Sequence, residues 1–396
     1  MRIAYTTDTY WPRINGVSVS TQLFMDELIK NGHDVRLWAP TYPMTKAERA
    51  MPVAVVARVH RMKSFSVLVS KEDYISSPFE MKRFWSELDQ FEPDLIHCQT
   101  EFSLSWFSIP YAKRRGIPVV MTCHTYFEKY VNFFFPLIPA GFAKWAARSF
   151  AWLMFRKAKT IVVPTRAMKI VLESYGLSSN IQVIPTGIEP SDFSGVDKAS
   201  ERESGEFLRR HPQLIGKKLL LAVGRMGQEK NVDFLLDVVK RLQPDLPGTT
   251  LLVAGNGPYM EQFQRNIVSM GLSDLVLPLG YVKRSELKHL YALADVFTFA
   301  SVTETQGLVT IESMMCRTPV VAIGKMGTLE VMEGDNGGFM VGENVAEFTL
   351  RVHQLLTDPV LYAQKSQEAW DYSQNWTSAR MAARLETLYR SLVRQG

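Results

Sequence analysis

The sequence predicts an α/β protein with two doubly wound domains, each built on a parallel sheet with helices on both faces. Short apolar, β-branched runs alternate with segments of helical pattern, and the alternation starts again after Gly187. The length of 396 residues suits two domains of ordinary size. Apolar strands that alternate with helices form parallel sheets joined by right-handed crossovers.

The first domain is predicted to span residues 1–185. Its first strand covers residues 3–6 and is followed by a loop and a helix over residues 18–30. The valine-rich stretch 46–69 has little helical period and predicts one or two further strands. The remaining strands of this domain are predicted at residues 35–38, 95–98, 119–123 and 160–163.

The second domain is predicted over residues 186–375, after a hinge at residues 184–188. Residues 192–210 are polar and show no clear pattern. Residues 376–396 contain an amphipathic helix, which we expect to cross back onto the first domain. Strands of the second domain are predicted at residues 219–223, 250–254, 276–279, 296–299 and 320–323.

The composition excludes disordered and fibrous proteins, because 46% of the residues are hydrophobic and 21% are charged. The three cysteines are widely spaced, which indicates a reducing compartment and neither a disulfide framework nor a zinc site. The first residues contain no long apolar run, and the longest uncharged apolar stretch is much shorter than the roughly 20 residues of a membrane-spanning helix. A cytoplasmic protein is therefore expected.

Positive charge is concentrated in the first half. Residues 1–185 carry 23 basic and 15 acidic side chains, whereas residues 186–396 carry 22 and 25. Between Glu128 and Glu173 there is no acidic residue, but there are many aromatic ones. These aromatics stand among aliphatic residues, unlike those of nucleic-acid readers, so an anionic membrane surface is the favoured partner and nucleic acid is not expected.

A helical wheel drawn from Phe142 places Trp145 and Trp152 in the same arc as Phe142, with Lys144 and Arg148 on the opposite side. An amphipathic helix of this kind can lie in a membrane interface. The alternative interpretation is an ordinary core helix whose cations extend to solvent.

Two loops that follow predicted strands carry groups suited to a sugar nucleotide. After residues 219–223, a turn that begins at Gly224 holds Arg225 and Lys230, which together could bind a diphosphate. The alternative is a solvated basic turn. After residues 296–299, Glu304 and Glu312 flank a helix opened by glycine, and carboxylates accept hydrogen bonds from sugar hydroxyls.

These segments resemble those of a known enzyme family. Glu304 and Glu312 match the E-x7-E motif of retaining, nucleotide-sugar-dependent glycosyltransferases of the GT-B fold. Among these enzymes the chain resembles glycosyltransferase family 4. The loop with Arg225 and Lys230 resembles the family's diphosphate loop, and the segments at residues 15–17 and 255–258 fit as well. The resemblance implies two Rossmann-like domains that face a deep interdomain cleft.

The resemblance also implies roles for individual residues. Arg225 and Lys230 would hold the donor diphosphate, Glu304 the transferred sugar and Glu312 the ribose. His124, which follows a predicted strand, would polarise a hydroxyl near the reacting sugar and, with Glu304, is a candidate catalytic residue. The remaining donor-binding residues are predicted to be Gly16, Val282, Gly307, Leu308 and Val309. Many relatives have two glycines in the first loop, where this chain has Asn15 and Gly16.

Residues 124–130 and 303–307 resemble the diacylglycerol glycosyltransferases in particular. In that subgroup the basic, aromatic segment after the histidine serves membrane docking and acceptor access. The residues predicted to contact the acceptor or the membrane are Glu128, Lys129, Phe133, Phe134, Phe135, Lys144, Trp145, Arg148 and Trp152.

We therefore expect a retaining hexosyltransferase that moves glucose from UDP-glucose onto diacylglycerol at the inner face of the plasma membrane. No D-x-D pair follows an apolar strand, so no metal or other cofactor is expected. A UDP-glucuronate donor is an alternative, since Arg317 and Lys325 flank the donor segment, as is a soluble acceptor. Two alternatives from other classes are a non-catalytic protein that binds nucleotide sugars or lipid surfaces and a sugar-nucleotide epimerase. Either could have the same fold.

Overall fold

A computed structural model describes residues 1–13, 15–43, 57–67, 70–127, 139–177, 180–304 and 306–394. The chain forms two compact units. The first comprises Met1–Gly187 together with Ser378–Gly396, and the second comprises Ile188–Thr377. The C-terminal segment is therefore part of the first unit.

The strands of the described residues form one large parallel sheet in each unit. In chain order they are β1 Arg2–Thr6, β2 Asp34–Pro40, β3 Val59–Met62, β4 Ser64–Val67, β5 Ser70–Ser76, β6 Leu95–Cys98, β7 Val119–Thr122, β8 Thr160–Val163, β9 Asn180–Val183, β10 Leu219–Val223, β11 Thr250–Ala254, β12 Val276–Gly280, β13 Val296–Phe299, β14 Val320–Ile323 and β15 Gly338–Val341.

The α-helices of the described residues lie between these strands and at the C-terminus. In chain order they are α1 Gly16–Lys30, α2 Met81–Phe91, α3 Ser103–Arg115, α4 Ala140–Phe155, α5 Arg166–Ser174, α6 Lys198–Ser204, α7 Glu206–Arg210, α8 Asp233–Leu242, α9 Met260–Ser269, α10 Arg284–Leu293, α11 Leu308–Met315, α12 Gly327–Val331, α13 Val345–Thr357, α14 Pro359–Ser373 and α15 Ser378–Val393. Short 3-10 turns join several of them.

The sheet of the first unit has the strand order β3-β2-β1-β6-β7-β8-β9, and β4 and β5 form a separate antiparallel pair. Successive residues of a strand face opposite sides of the sheet. Accordingly, Ile3 shares a buried core with Leu28 of α1 and Leu385 of α15, whereas Ala4 shares the opposite core with Phe84 of α2. The helix α15 thus completes one face of the first sheet.

The sheet of the second unit has the order β12-β11-β10-β13-β14-β15, with all neighbouring pairs parallel. Leu220 of β10 belongs to a core with Val238 of α8, whereas Leu221 belongs to the opposite core with Ile311 of α11. Both sheets are therefore covered by helices on both faces, which confirms the predicted doubly wound class.

The predicted strands all exist, with ends that differ by at most two residues from the predicted ones. The sequence prediction missed β5, β9 and β15. Residues 192–210, for which no pattern was recognised, contain the short helices α6 and α7. In the stretch 46–69 the structure has β3 and β4, and the part at residues 46–56 and 68–69 lies outside the described residues.

Candidate active site

The strand order of each sheet reverses at one point, and this point predicts where ligands bind. In open α/β sheets, ligands lie beyond the carboxyl ends of the strands at such a reversal. In the second unit the reversal lies between β10 and β13, and in the first unit it lies between β1 and β6. The loops that follow these four strands are therefore the first candidates.

The loop after β10 is held in place by the turn that follows β11. The backbone N–H of Met226 donates to the carbonyl of Asn256 at 3.0 Å. Gly255 has φ +146°, and a Cβ at this position would lie 1.8 Å from the carbonyl oxygen of Gly224. A Cβ at Gly257 would lie 2.3 Å from the carbonyl oxygen of Met226. Because these two glycines have no side chain, the turn after β11 can pack directly against the backbone of the loop after β10.

The loops after β10 and β13 meet through one ion pair. Lys230 lies in the 3-10 turn Gln228–Lys230, and its ammonium contacts the carboxylate of Glu304. Both side chains are about 20% exposed. The structure therefore brings together the predicted diphosphate-binding cation and the predicted sugar-binding carboxylate.

Arg225 is placed differently from Lys230. Its side chain is 61% exposed, and its Nη2 lies 2.7 Å from Oε1 of Glu229 in the same loop. An exposed pair of this kind contributes little to stability because water screens it. The guanidinium can therefore leave Glu229 at small cost when an anion binds.

Gly307 precedes α11 in a left-handed conformation with φ +75°. Leu308 and Val309 form the first turn of this helix, as the sequence predicts. The first amides of an α-helix have no acceptor within the helix, and they favour anions. Leu308 and Val309 thus present backbone donors at the carboxyl end of β13.

Glu312 is buried inside the second unit with both of its carboxylate oxygens engaged. Oε1 accepts from Nη1 of Arg284 at 3.0 Å, and Oε2 accepts from the hydroxyl of Tyr291 at 2.8 Å. Burial and the neighbouring carboxylate raise the pKa of Tyr291, so this hydroxyl stays a donor. Sequence reasoning missed both partners, although Arg284 follows the predicted donor-binding residue Val282 by two positions.

Val282 follows β12 and is partly buried against the core of the second unit. Together with Tyr281, which is largely exposed, it lines a groove whose other wall includes residues of α6 and α7. The groove is a surface on which an aromatic base could stack.

In the first unit, His124 follows β7 and is partly buried. Its Nε2 lies 3.1 Å from Oε1 of Gln99, which follows the neighbouring strand β6. Burial lowers the pKa of His124 to about 4, so the imidazole is neutral near pH 7.

Gly16 begins α1 and is exposed, and no atom of the described residues lies within 4 Å of where a Cβ would stand. Asn15 caps this helix, because its side-chain oxygen accepts from the backbone N–H of Ser18 at 2.9 Å. Its amide nitrogen donates to Oγ1 of Thr9 at 2.9 Å. Asn15 therefore fixes the start of α1.

Two buried carboxyl groups at the reversal of the first sheet were not predicted. Asp8, after β1, accepts hydrogen bonds from Thr100 and Ser103, and burial raises its pKa to about 6. Burial likewise raises the pKa of Glu101 to about 8. Among the described residues, Oε1 of Glu101 has no hydrogen-bond partner. The polar run directly after a buried strand could have signalled this cluster.

The helix α4 corrects one expectation from the helical wheel. Its buried face consists of Ala143, Ala147, Ala151 and Met154, with Phe155 at its C-terminal end. Three of its large aromatics are exposed: Phe142 by 59%, Trp145 by 62% and Trp152 by 38%. Lys144 and Arg148 are exposed too and do not lie on an opposite face. The alanines let most of α4 lie close to the core, and these three aromatics remain outside.

The exposed side chains of α4 and its C-terminal end include several cations and aromatic rings, which we call the α4 surface. The guanidinium of Arg156 lies 4.1 Å from the ring centroid of Trp152, and the ammonium of Lys157 lies 5.9 Å from that of Trp106 on α3. The members of the α4 surface are Phe142, Lys144, Trp145, Arg148, Trp152, Arg156 and Lys157, with Phe102 and Trp106 beside them.

Part of the predicted acceptor and membrane segment is not among the residues that the structure describes. Glu128, Lys129, Phe133, Phe134 and Phe135 lie outside them. Across the residues that are described, no helix has the length and apolar character needed to cross a bilayer.

The two cations on which a glucuronate donor would depend are engaged with other groups. Nη1 of Arg317 donates to Gln367 at 2.7 Å, and its guanidinium lies over the ring of Trp370. Lys325 forms an ion pair with Glu343. Both side chains would have to give up these contacts to bind a uronate.

Comparison with known families finds two matches that together cover most of the chain. The family model of Glycosyltransferase Family 4 matches residues 14–192, and that of Glycosyl transferases group 1 matches residues 206–375. The alpha-monoglucosyldiacylglycerol synthase of Streptococcus pneumoniae is 31% identical over 82% of this chain and 71% of that protein. The enzyme of the same name from Acholeplasma laidlawii is 25% identical over 99% of this chain and 98% of its own.

Solved structures of the same architecture match the chain over essentially its whole length. Sucrose-phosphate synthase from Thermosynechococcus elongatus has a TM-score of 0.78 at 18% identity, with 100% of both chains covered. Anabaena HepE in complex with UDP has a TM-score of 0.77 at 16% identity, covering 99% of this chain and 100% of its own. At these identities the likeness shows the fold.

Proposed function

The chain belongs to the glycosyltransferases of family 4 and group 1 and has the predicted GT-B fold, and we propose that it transfers glucose from UDP-glucose to the free hydroxyl of diacylglycerol. The transfer retains the configuration of the anomeric carbon. The protein works at the cytoplasmic face of the plasma membrane, to which it binds peripherally. The observation that carries the lipid acceptor is the α4 surface, where tryptophans that could have been buried are exposed beside cations.

The donor half of the proposal is supported by the ion pair at the sheet reversal of the second unit. Lys230 is held by Glu304 until a donor arrives. A diphosphate carries more negative charge than one carboxylate, so the ammonium turns to it and frees Glu304 for the sugar hydroxyls. Arg225 and the amides of Leu308 and Val309 complete the charge compensation of the leaving diphosphate. In this scheme no metal ion is needed.

Two further observations bear on the sugar nucleotide. The solved relative HepE is known in complex with UDP and with UDP-glucose, and the Streptococcus and Acholeplasma relatives are monoglucosyldiacylglycerol synthases. In addition, Arg317 and Lys325 already contact other side chains, so a uronate would have to compete for them.

The acceptor half of the proposal rests on the first unit. The aromatic rings of the α4 surface can enter the interface of a bilayer while its cations attract anionic lipid. Each cation near such a surface contributes about 1 kcal/mol at physiological ionic strength. Diacylglycerol is buried in the same bilayer, so docking brings the enzyme to its acceptor.

In the proposed reaction the acceptor hydroxyl attacks from the side on which the diphosphate leaves. The hydroxyl's oxygen forms the new bond to the anomeric carbon while the bond to the diphosphate breaks. The proton of the hydroxyl passes to the departing diphosphate oxygen. The protein acts mainly by positioning the substrates and by stabilising the charge that develops on the leaving group.

The test is incubation of the protein with radiolabelled sugar nucleotides and vesicles that contain diacylglycerol, followed by thin-layer separation of the lipids. Label from UDP-glucose should appear in a monoglycosyl lipid. Transfer only to a water-soluble acceptor would refute the lipid part of the proposal. Binding of the donor without any release of UDP would indicate a non-catalytic binding protein.

A further inference from the structure

We propose that Gln99 is a positioning residue that, backed by His97, holds His124 with its proton on Nε2 and its lone pair on Nδ1. The Nδ1 lone pair then accepts a hydrogen bond from a substrate hydroxyl. The inference concerns the tautomer and the orientation of the ring. Its catalytic consequence rests on the proposed function and on the role that the family resemblance implies for His124, beside a hydroxyl near the reacting sugar.

A continuous line of buried polar groups runs through the first unit and ends at His124. The hydroxyls of Tyr5 on β1 and Tyr389 on α15 lie 2.9 Å apart, and that of Tyr389 contacts Nδ1 of His97 on β6. Nε2 of His97 lies 2.7 Å from Oγ1 of Thr122 on β7. All four side chains are buried, so their hydrogen-bonding groups have each other as partners.

The orientation of the Gln99 amide determines the tautomer of His97. Burial lowers the pKa of His97 to about 3, so its ring is neutral and has one donor and one acceptor nitrogen. Nε2 of Gln99 lies 3.2 Å from Nδ1 of His97. An amide nitrogen can only donate, so Nδ1 of His97 is the acceptor and its Nε2–H donates to Thr122.

The orientation of Gln99 in turn determines the tautomer of His124. With its nitrogen directed at His97, Gln99 presents its oxygen to Nε2 of His124 at 3.1 Å. An amide oxygen can only accept, so this Nε2 must carry the proton. The neutral ring of His124 therefore has its unprotonated nitrogen at Nδ1.

This arrangement can reverse only if several buried groups change together. The exposed fraction is 1% for both Gln99 and His97. Rotation of the Gln99 amide would place its oxygen against Nδ1 of His97 and its nitrogen against Nε2 of His124. Both rings would then have to move their proton to the other nitrogen, and Thr122 would have to donate to His97 instead of accepting from it. These hydrogen bonds thus couple the tautomer of His124 to that of His97.

The first test is the tautomer of His124 in the unliganded protein, measured by long-range ¹H–¹⁵N correlation NMR with labelled histidine. The signals of His124 are assigned by their loss in His124→Asn. We expect a protonated Nε2 and an unprotonated Nδ1 near pH 7. A proton on Nδ1 would overturn the inference, whatever the enzyme's substrates are.

The second test is kinetic and uses the whole protein with UDP-glucose and diacylglycerol vesicles. Gln99→Met removes both amide contacts, and we expect kcat to fall by about tenfold with a much smaller change in donor KM. The matched control is Gln182→Met, which changes an exposed glutamine on β9. An unchanged kcat in Gln99→Met would contradict the positioning role.

The third test is a pH profile of Gln99→Glu, which also serves if Gln99→Met fails to fold. A carboxylate against Nε2–H favours the imidazolium and raises the pKa of His124. The other titratable groups near this ring among the described residues are His97, the Cys123 thiol and the Glu101 carboxyl that acts on it. We expect the variant's kcat to fall as pH decreases from 7 towards 5, whereas the wild type shows no such fall. Identical profiles would contradict the inference.

These outcomes are separable from those of the proposed function. If the wild type transfers no sugar to any lipid, the proposed function fails, but the tautomer of His124 is still decided by NMR. If transfer occurs and the tautomer is the opposite one, the inference fails alone.

Discussion

The ammonium of Lys230 contacts the carboxylate of Glu304 at the point where the strand order of the second sheet reverses. The pair connects two loops that are 74 residues apart in sequence. Lys230 and Glu304 neutralise each other's charge where both are partly buried. A ligand can therefore bind either side chain only if it replaces the other one. A donor with a diphosphate and a hydroxylated sugar offers a replacement to both at once.

Replacement of Lys230 by methionine should nearly abolish sugar transfer while the protein stays folded. The leaving diphosphate would lose a full positive charge, and loss of one such group typically costs at least about 10² in kcat. We expect the unfolding free energy to change by no more than about 2 kcal/mol, because Glu304 remains partly hydrated. Transfer assays and denaturant unfolding measure the two effects.

The matched control for this variant is Lys365→Met. Lys365 is also a partly buried lysine of the second unit, and its Nζ lies 2.8 Å from Glu368 on α14. Its replacement should leave kcat within about twofold of the wild type. Equal activity loss in both variants would show that the Lys230 effect is structural.

Replacement of Tyr291 by phenylalanine should destabilise the protein by about 1.5–3 kcal/mol, because a hydrogen bond to a buried carboxylate is lost. Glu312 would still be held by Arg284, so we expect the donor KM to rise while kcat stays close to normal. Thermal unfolding and donor titration check these outcomes. Tyr362→Phe is the control, since the buried Tyr362 hydroxyl has no hydrogen-bond partner among the described residues and its removal should cost little.

Replacement of Phe142, Trp145 and Trp152 by serine should weaken binding to anionic vesicles by at least about tenfold. Release of UDP from UDP-glucose in detergent should change little, because none of the three residues is a proposed donor-binding residue and most of those residues are in the second unit. Vesicle flotation measures the binding. Val360→Ser, which changes an exposed apolar residue of α14, should have no effect on flotation.

The cations of the same surface should act through charge. Lys144→Glu combined with Arg156→Glu should weaken flotation at low salt, by about fivefold for each cation removed. The difference should shrink as the salt concentration rises, because ions screen the attraction. A salt-independent loss would mean that the variant surface is misfolded.

The buried Glu101 predicts a pH-dependent stability. Burial raises its pKa from 4.5 to about 8, so the folded state keeps the proton that the unfolded state releases. Its contribution to stability is fully present below about pH 4.5 and is lost as pH rises through about 8. Glu101→Gln, which cannot ionise, should therefore gain stability relative to the wild type between pH 5 and pH 8, on the order of 3 kcal/mol.

Urea unfolding of both proteins at pH 5 and pH 8 measures this difference. Glu173→Gln, at an exposed position of α5, is the control. A constant difference between wild type and Glu101→Gln over this range would contradict the raised pKa.

The strands were predictable from sequence where they are buried on both faces. β6, β8, β10 and β13 are short apolar runs, and their predicted bounds are those of the structure. β9 was missed because its residues alternate between exposed and buried and include two polar side chains. β15 was missed because it begins with Gly338, the second of two successive glycines, and glycine is disfavoured in strands.

The loops that carry Lys230 and Glu304 were predictable because each follows an apolar strand. Their ion pair was not, since local sequence does not contain contacts between distant segments. For the same reason, the sequence did not predict that Tyr291 and Arg284 contact Glu312, or that Tyr389 contacts His97. A helical wheel separates the sides of α4, but it cannot tell which side the sheet covers. Alanines occupy most of the buried side, and Phe142, Trp145 and Trp152 are left exposed, whereas Phe155 is buried.

The most direct measurement is the anomeric configuration of the lipid product formed from UDP-glucose and diacylglycerol, determined by proton NMR for wild type and Lys230→Met. We expect an α-glucosyl lipid from the wild type and almost none from the variant. A β-linked product, or an equal yield from the Lys230→Met protein, would contradict the proposed mechanism.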